Sequence, residues 1–300
     1  MASTSSSTLA SANQLVWYVT GTSSGFGARL VSLLLDRGDK VIATGRSLAR
    51  LDFPPHENLR LQQCDVTIGP AKLREKAAEA VAFFGRVDVV MNNAGVVFKG
   101  ILEEAGSEEL RKQYDVNLFG QLDVTNAFLP YMRERRSGTI VLMGSRTGWW
   151  PENPIGGLYA SSKAALRVMG ETLAVELAPF NIRVLITEPG AFRTENSFSL
   201  PMYEDNRIAE YDAVREEMKK RYARVDGHQP GDPTKAMHVV IDVVHGEGAA
   251  EGKDWPLYLP LGLEAEVAIR DKCGKVTKVL DTWEDVIRDT RLESPLVISG

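Results

Sequence analysis

Tyr159 and Lys163, in the run Leu158-Tyr159-Ala160-Ser161-Ser162-Lys163-Ala164, carry the most direct chemical signal in this 300-residue sequence. On a helix, that spacing stacks a phenol and an ammonium on one face. A lysine charge beside a phenol favours phenolate, so the pair is expected to lower the tyrosine pKa from its ordinary value of about 10. A proton held that way can be exchanged near neutral pH. The spacing alone is common on amphipathic helices, and it gains meaning from what precedes it in the chain.

An apolar run ends in Thr20-Gly21-Thr22-Ser23-Ser24-Gly25-Phe26-Gly27, and a helical segment follows. Glycines in such a turn let the backbone curve tightly and approach a pyrophosphate at the helix N-terminus. Gly21, Ser23, Ser24, Gly25, Phe26 and Gly27 are therefore assigned to a dinucleotide, with the serine hydroxyls as added donors. After the second apolar run the chain reads Ala43-Thr44-Gly45-Arg46-Ser47. No carboxylate is present to take a ribose 2′-hydroxyl, whereas the planar fork of Arg46 suits a 2′-phosphate. NADP(H) is the expected cofactor. Asn92-Asn93-Ala94-Gly95 follows the fourth apolar run directly, where a cofactor would pass.

The elements that must position these groups alternate along the chain. Strands are expected at 15–20, 40–44, 59–64, 87–91, 139–144, 182–187 and 256–260. Helices are expected at 25–37, 72–84, 107–132 (as one or two), 159–177, 233–244 and 264–287. The alternation lapses over 192–231, read as a substrate-covering region with an amphipathic helix at 204–222 as a lid. The fold class is α/β: a single doubly wound parallel sheet of Rossmann type, helices on both faces, with its ligand at the carboxyl ends of the strands. The domain is expected to run over 14–292, between a loose tail at 1–13 and a short one at 293–300.

A composition of 44% hydrophobic and 25% charged residues is that of an ordinary globular protein. The net charge of -5 offers no Lys/Arg excess, which argues against a nucleic-acid partner. Cys64 and Cys273 lie far apart without metal-ligand spacing, so neither a disulfide framework nor a metal site is expected. No secretory or transit pattern opens the chain and no apolar stretch is long enough to span a bilayer. A cytoplasmic location is expected.

Asn117, Ser145, Tyr159 and Lys163 follow the glycine turn in order. With the TGxxxGxG turn, Asp65, Asn92-Asn93-Ala94-Gly95, and Pro189-Gly190 followed by Thr194, the chain closely resembles the short-chain dehydrogenase/reductase family over roughly 16–194. Similarity is weaker through Leu261. Gly45-Arg46, the Ser-Ser-Gly turn and the run Ala178-Pro179-Phe180-Asn181-Ile182-Arg183 resemble most the NADP-preferring branch that includes hydroxysteroid and retinol dehydrogenase-like enzymes. The resemblance implies that Tyr159 gives a proton to a carbonyl oxygen as hydride arrives, with Ser145 bonding the same oxygen. It implies that Lys163 lowers the Tyr159 pKa and holds the nicotinamide ribose, and that Asn117 anchors a water leading to solvent. Asn117 bonding a helix backbone and Ser145 capping its turn are the plainer alternatives.

Cofactor contacts implied by the resemblance extend to Asp65 at the adenine, Val66, Asn93, Ala94, Gly95, Tyr159, Lys163, Pro189 and Gly190, with Phe192 and Thr194 at the carboxamide. Phe192 stands where the family often has a smaller aliphatic residue, and it alternatively packs the loop. Trp149 and Trp150 lie just after Ser145, and with Val97, Phe98, Phe198 and Met202 they are expected to form an apolar wall, a packing anchor or subunit contact being the alternative for the two tryptophans. Arg146 either recognises a polar group on the substrate or turns into a salt bridge. The expected activity is an NADP(H)-dependent oxidoreductase acting on a bulky hydrophobic ketone or secondary alcohol, in the reductive direction. The alternatives are an epimerase or dehydratase on the same scaffold, or a non-enzymatic NADP(H) sensor. A homodimer or homotetramer through helices near 110–132 and 159–177 is implied by resemblance alone.

Overall fold

A computed structural model describes residues 14–195 and 201–291 of the protein. The chain runs β1 (Val16–Val19), α1 (Gly25–Arg37), β2 (Lys40–Gly45), β3 (Leu59–Gln63), α2 (Pro70–Phe84), β4 (Val89–Asn92), α3 (Leu102–Tyr114) and α4 (Gly120–Arg135). It continues with β5 (Gly138–Met143), α5 (Gly157–Leu177), β6 (Ile182–Pro189), α6 (Asp212–Val225), α7 (Pro233–His245), β7 (Tyr258–Leu261), α8 (Leu263–Thr282) and α9 (Glu284–Arg288). All seven strands pair in parallel in the order β3-β2-β1-β4-β5-β6-β7. The inner strands, covered on both faces, need apolar residues nearly throughout, as in β1 and β4, whereas the edge strands β3 and β7 leave several positions exposed.

Successive side chains of each strand feed opposite faces. Tyr18, Ile42, Val90, Ile140 and Ile186 pack with Leu73, Phe128 and Leu166 of α2, α4 and α5. Trp17, Val41, Met91, Val141 and Leu185 pack with Leu30, Leu34 and Val240 of α1 and α7. Buried Asp39 ties the second layer to β1, accepting from the Leu15 amide at 2.9 Å and from Trp17 Nε1 at 3.2 Å, with His245 Nε2 at 2.8 Å. Strand order reverses between β1 and β4, so a crevice opens beyond their carboxyl ends.

Two helical expectations are corrected. The segment expected at 107–132 begins earlier, at Leu102, is kinked at Gly106 (φ 60°, ψ -167°), and passes through a π-helical turn at Asp115–Phe119 before α4. The lid helix expected at 204–222 starts only at Asp212, because the Ile208 amide donates to buried Glu104 at 2.7 Å and the preceding stretch is held out of helix.

Candidate active site

β1 delivers the chain into the glycine turn at the carboxyl edge. Gly21 (φ 69°) and Gly25 (φ 62°) occupy the left-handed region. At Gly27 space is decisive: a Cβ there would lie 2.4 Å from the Gly21 carbonyl oxygen and 2.5 Å from Asn93 Nδ2. Asn93 stitches the turn to β4, its Nδ2 donating to the Thr20 and Gly21 carbonyls at 2.9 Å. The Thr20 hydroxyl accepts the amides of Asn93 at 3.0 Å and Ala94 at 2.9 Å.

The first turn of α1 already holds an anion. The Gly25 amide donates to the Glu195 carboxylate at 2.9 Å, and Arg29 pairs with it at 2.5 Å. Arg29, chiefly, holds Glu195 down to about 2. A helix N-terminus that accepts a carboxylate oxygen suits the oxygen of a pyrophosphate, so these residues fit the expected dinucleotide. Ser23 is exposed and Ser24 half-buried at the rim, and Phe26 packs edge-on against Phe192 with centroids 5.3 Å apart. Phe192 is nearly buried and presses on Gly231, which is the packing alternative. Thr194 stands beside Gly25, and a Cβ on that glycine would be 3.7 Å from it.

Arg46 lies exposed just past β2 and its carbonyl accepts from Gln63 Nε2 at 2.9 Å. Asp65 Oδ1 caps its own turn, accepting the Thr67 amide at 3.0 Å and hydroxyl at 2.8 Å. Val66 is buried against Gly120. Pro189 closes β6, and the Gly190 amide donates to the Leu261 carbonyl at 2.8 Å.

The polar cluster gathers from three elements. Asn117, fully buried in the π-helical turn, accepts the Val96 amide at 2.9 Å and donates to the Val96 carbonyl at 2.9 Å and Ser162 Oγ at 3.2 Å. Lys163 Nζ, on α5, donates to the Met143 carbonyl at the end of β5 at 2.6 Å and lies 5.7 Å from the Tyr159 ring centroid. Gly95 separates them: a Cβ there would be 3.4 Å from Asn117 Oδ1 and 3.8 Å from Lys163 Nζ. Ser145 Oγ accepts from the Thr147 amide at 3.2 Å and hydroxyl at 3.0 Å, so it does cap the following turn.

The expected depression of the Tyr159 pKa is overturned. The phenol is pushed up to about 12, chiefly by burial, with the Glu188 carboxylate adding to the rise and only Ser145 opposing it. Burial also drives Lys163 down to about 8 against the pull of Glu188. Lys163 is buried and Tyr159 half-buried, and the lysine aims its ammonium at the Met143 carbonyl and not at the phenol oxygen, so burial and not ion pairing dominates both shifts. At neutral pH the Tyr159 phenol keeps its proton.

Glu188 escaped the sequence reading. It is 1% exposed, and its Oε2 accepts the Ser145 amide at 2.9 Å. Oε1 and the indole Nε1 of Trp149 are buried without a partner of hydrogen-bond geometry. Burial pushes Glu188 up to about 7, while the nearby Trp149 indole, the Ser145 amide, Arg167 and Lys163 favour its ionised form. The sequence did hold a signal: a lone carboxylate stands next to the end of a strand that is buried at every position but Arg183, where charge is seldom found unpaired.

On the substrate side the two tryptophans diverge. Trp149 meets Tyr258 edge-on at 6.0 Å, with the Arg167 guanidinium 4.1 Å from its ring centroid. Trp150 faces Arg146 at 5.7 Å and Arg221 of α6 at 5.5 Å. Trp149 is thus built into packing against α5 and β7, and of the two tryptophans expected to form a wall only Trp150 neighbours α6. Arg146 is shifted down by burial, with Glu264 opposing that shift and Arg221 adding to it. Val97 and Phe98 are half-buried, and the Phe98 amide donates to Gln113 Oε1 at 2.8 Å. Met202 joins an apolar cluster with Ile101, Ile155 and Met218. Phe198 lies outside the described residues. α6 is pinned at its base by a buried Arg215–Glu104 ion pair. Among the described residues no group of three His, Cys, Asp or Glu could hold a metal, and no helix is long and apolar enough to cross a membrane.

A family profile described as short chain dehydrogenase matches residues 15–202. Among curated relatives, a 3-ketodihydrosphingosine reductase of Bacteroides thetaiotaomicron is 37% identical over 59% of this chain and 63% of its own length. Oxidoreductase BOA17 of Botryotinia fuckeliana is 30% identical over 93% of this chain and 98% of its own. Among solved structures, a short-chain dehydrogenase from Streptomyces avermitilis superposes with a TM-score of 0.81 at 35% identity, covering 93% of this chain and all of that one. A serine dehydrogenase complexed with NADP+ gives 0.65 at 29% identity, over 82% of this chain and 94% of that one.

Proposed function

The chain belongs to the short-chain dehydrogenase family, and from that premise we propose that it is an NADP(H)-dependent ketoreductase taking bulky hydrophobic ketones, reversible on the secondary alcohols. The observation that carries the reading is the Tyr159 phenol beside Ser145, with buried Lys163 one turn along α5, at the strand edge where the Gly25 amide already holds a carboxylate. Exposed Arg46 and the absence of a carboxylate after β2 support NADP(H), as does the NADP+-bound relative. Trp150, Met202 and the apolar cluster under α6 support a bulky substrate, as does a relative named for reducing 3-ketodihydrosphingosine. Cytoplasmic location and assembly from identical copies belong to the same proposal.

The bound dinucleotide would supply the hydride. Tyr159 donates its proton to the substrate oxygen. Ser145 Oγ already accepts twice from Thr147, so its own proton points to the Tyr159 phenol oxygen and to a substrate oxygen placed beside it. Lys163 has two protons beyond the one given to Met143, available to a ribose hydroxyl. Asn117 locks Val96 and Ser162, fixing the strand end along which a cofactor lies.

The test is purified protein with NADPH, and in parallel NADH, against small and bulky apolar ketones. Ketone-dependent loss of NADPH, faster than of NADH and more efficient with larger ketones, is expected. Tyr159→Phe should keep NADPH affinity and lose about 10²–10⁴-fold in turnover, the range of general acid catalysis. Tight NADPH binding with no turnover of any ketone would replace the reading with a sensor.

A further inference from the structure

α8 begins against the domain, with Ala265 and Ala268 buried, but every residue from 270 to 291 is exposed. Lys275 reaches back to Glu152 at 2.8 Å, and beyond it the helix projects as an arm. α9 follows after the single residue Trp283, where the Ile287 amide donates to the Trp283 carbonyl at 2.8 Å. Along this arm Val276, Val279, Leu280, Trp283, Val286 and Ile287 recur at steps of three and four, each between 46% and 59% exposed. That is the seam of a helix that packs on another helix, presented to water. A short helix in water is marginal unless an apolar face is covered.

Charge identifies the occupant. The first half of the arm carries Arg270, Lys272, Lys275 and Lys278 against one acid, Asp271. The second half carries Asp281, Glu284, Asp285 and Asp289 against two bases, Arg288 and Arg291. Within the chain Arg270 pairs with Glu266, Lys275 with Asp271 and Arg288 with Glu284. Lys272, Lys278, Asp281, Asp285 and Asp289 are in no ion pair among the described residues. Such an arm repels a parallel copy of itself and attracts an antiparallel one, basic half against acidic half, with Leu280 near the two-fold. A membrane surface fits poorly, because the acidic half opposes anionic headgroups.

We propose that this arm is an antiparallel pairing surface for a second copy of the chain. The family interface implied for the helices near 110–132 and 159–177 is a different surface, so the arm adds a contact beyond it. Turnover does not enter the test, and the proposal stands or falls apart from the ketoreductase reading.

The full chain, analysed by light scattering after gel filtration, is compared with Lys272→Glu/Lys278→Glu and with Asp281→Lys/Asp285→Lys. Each double variant should halve the number of copies per particle, and an equal mixture of the two should restore it. Unchanged copy number in either variant would assign the apolar stripe to residues 292–300 or to a lipid surface, and would overturn the proposal, as would a mixture that stays dissociated. A second readout uses the exposed Cys273. In antiparallel pairing the two Cys273 positions stand about 20 Å apart along the helices. Ile287→Cys should then cross-link to the Cys273 of a second copy on oxidation, whereas the unmodified chain should not. A Cys273–Cys273 disulfide in the unmodified chain would mean parallel pairing and sink the idea.

Discussion

Glu188 makes the proton affinities at this site a property of three residues instead of two. Its carboxylate raises Tyr159, supports the charge on Lys163 and fixes the Ser145 amide, so the phenol, the ammonium and the turn answer to one buried group. Its own pKa rises from 4.5 to about 7 on burial. Below 4.5 both folded and unfolded chains hold the proton. Between 4.5 and about 7 the folded chain keeps a proton that the unfolded chain releases, so stability falls as pH rises through that window and then levels. Glu188→Gln stays neutral and lacks this fall. Thermal unfolding from pH 4 to 8 should show the melting temperature of the unmodified chain dropping relative to the variant across the window; a constant difference would rule out buried ionisation. Lys163 acts with the opposite sign at higher pH. Because burial lowers it to about 8, its penalty is present below that value and relieved above.

At the scale of elements, the glycine turn and α1 form one anion-binding unit with Asn93 as its strut. Gly27→Ala would put a methyl group into the Gly21 carbonyl and the Asn93 amide, neither of which has room to retreat. The variant should lose about 1–3 kcal/mol in denaturant unfolding, the cost of overpacking, and should bind NADPH more weakly. Glu195 competes for the same helix end, since its carboxylate takes the Gly25 amide and Arg29. Glu195→Gln removes the competing charge and frees Arg29. Calorimetric titration should show NADPH binding tightened by about two- to fivefold, the factor that an exposed ion pair represents. Weakened binding would mean that Glu195 holds the turn in its binding shape.

Across the whole molecule, the sheet layers are apolar, while the region over the carboxyl edge is joined to them by charge. Arg215 of α6 and Glu104 of α3 are both buried, and Glu104 also takes the Ile208 amide, so one carboxylate anchors the substrate-covering helix. Removing Glu104 takes the buried partner from Arg215 and leaves it only Asp212, itself 41% exposed, and a buried charge so weakly compensated is destabilising. Glu104→Ala should expose the 201–232 region to limited proteolysis and raise KM for bulky ketones more than it lowers kcat. The apolar layers on either side of the sheet do not depend on that pair. Cleavage confined to this region is expected, and unfolding of the entire chain in a single step would contradict the separation.

The sequence by itself determined the parallel sheet, the glycine turn, the Asn93 edge and the stacking of Tyr159 with Lys163. Each follows from residues close in the chain, where spacing fixes geometry: a four-residue step stays on one helix face, and a strand covered on both sides must be apolar. Tertiary structure alone decided the direction of the Tyr159 shift. Proton affinity depends chiefly on what excludes water, with Glu188 on β6 adding to the rise, while the Met143 carbonyl on β5 takes the lysine. It also decided that adjacent Trp149 and Trp150 take different partners, one Tyr258 and Arg167, the other Arg146 and Arg221 of α6. The late start of α6 was hidden for the same reason, since the group that takes the Ile208 amide lies on α3, about a hundred residues earlier in the chain. Local pattern specifies the elements and their motifs; solvation and long-range partners, which no window of sequence contains, specify what the side chains do there.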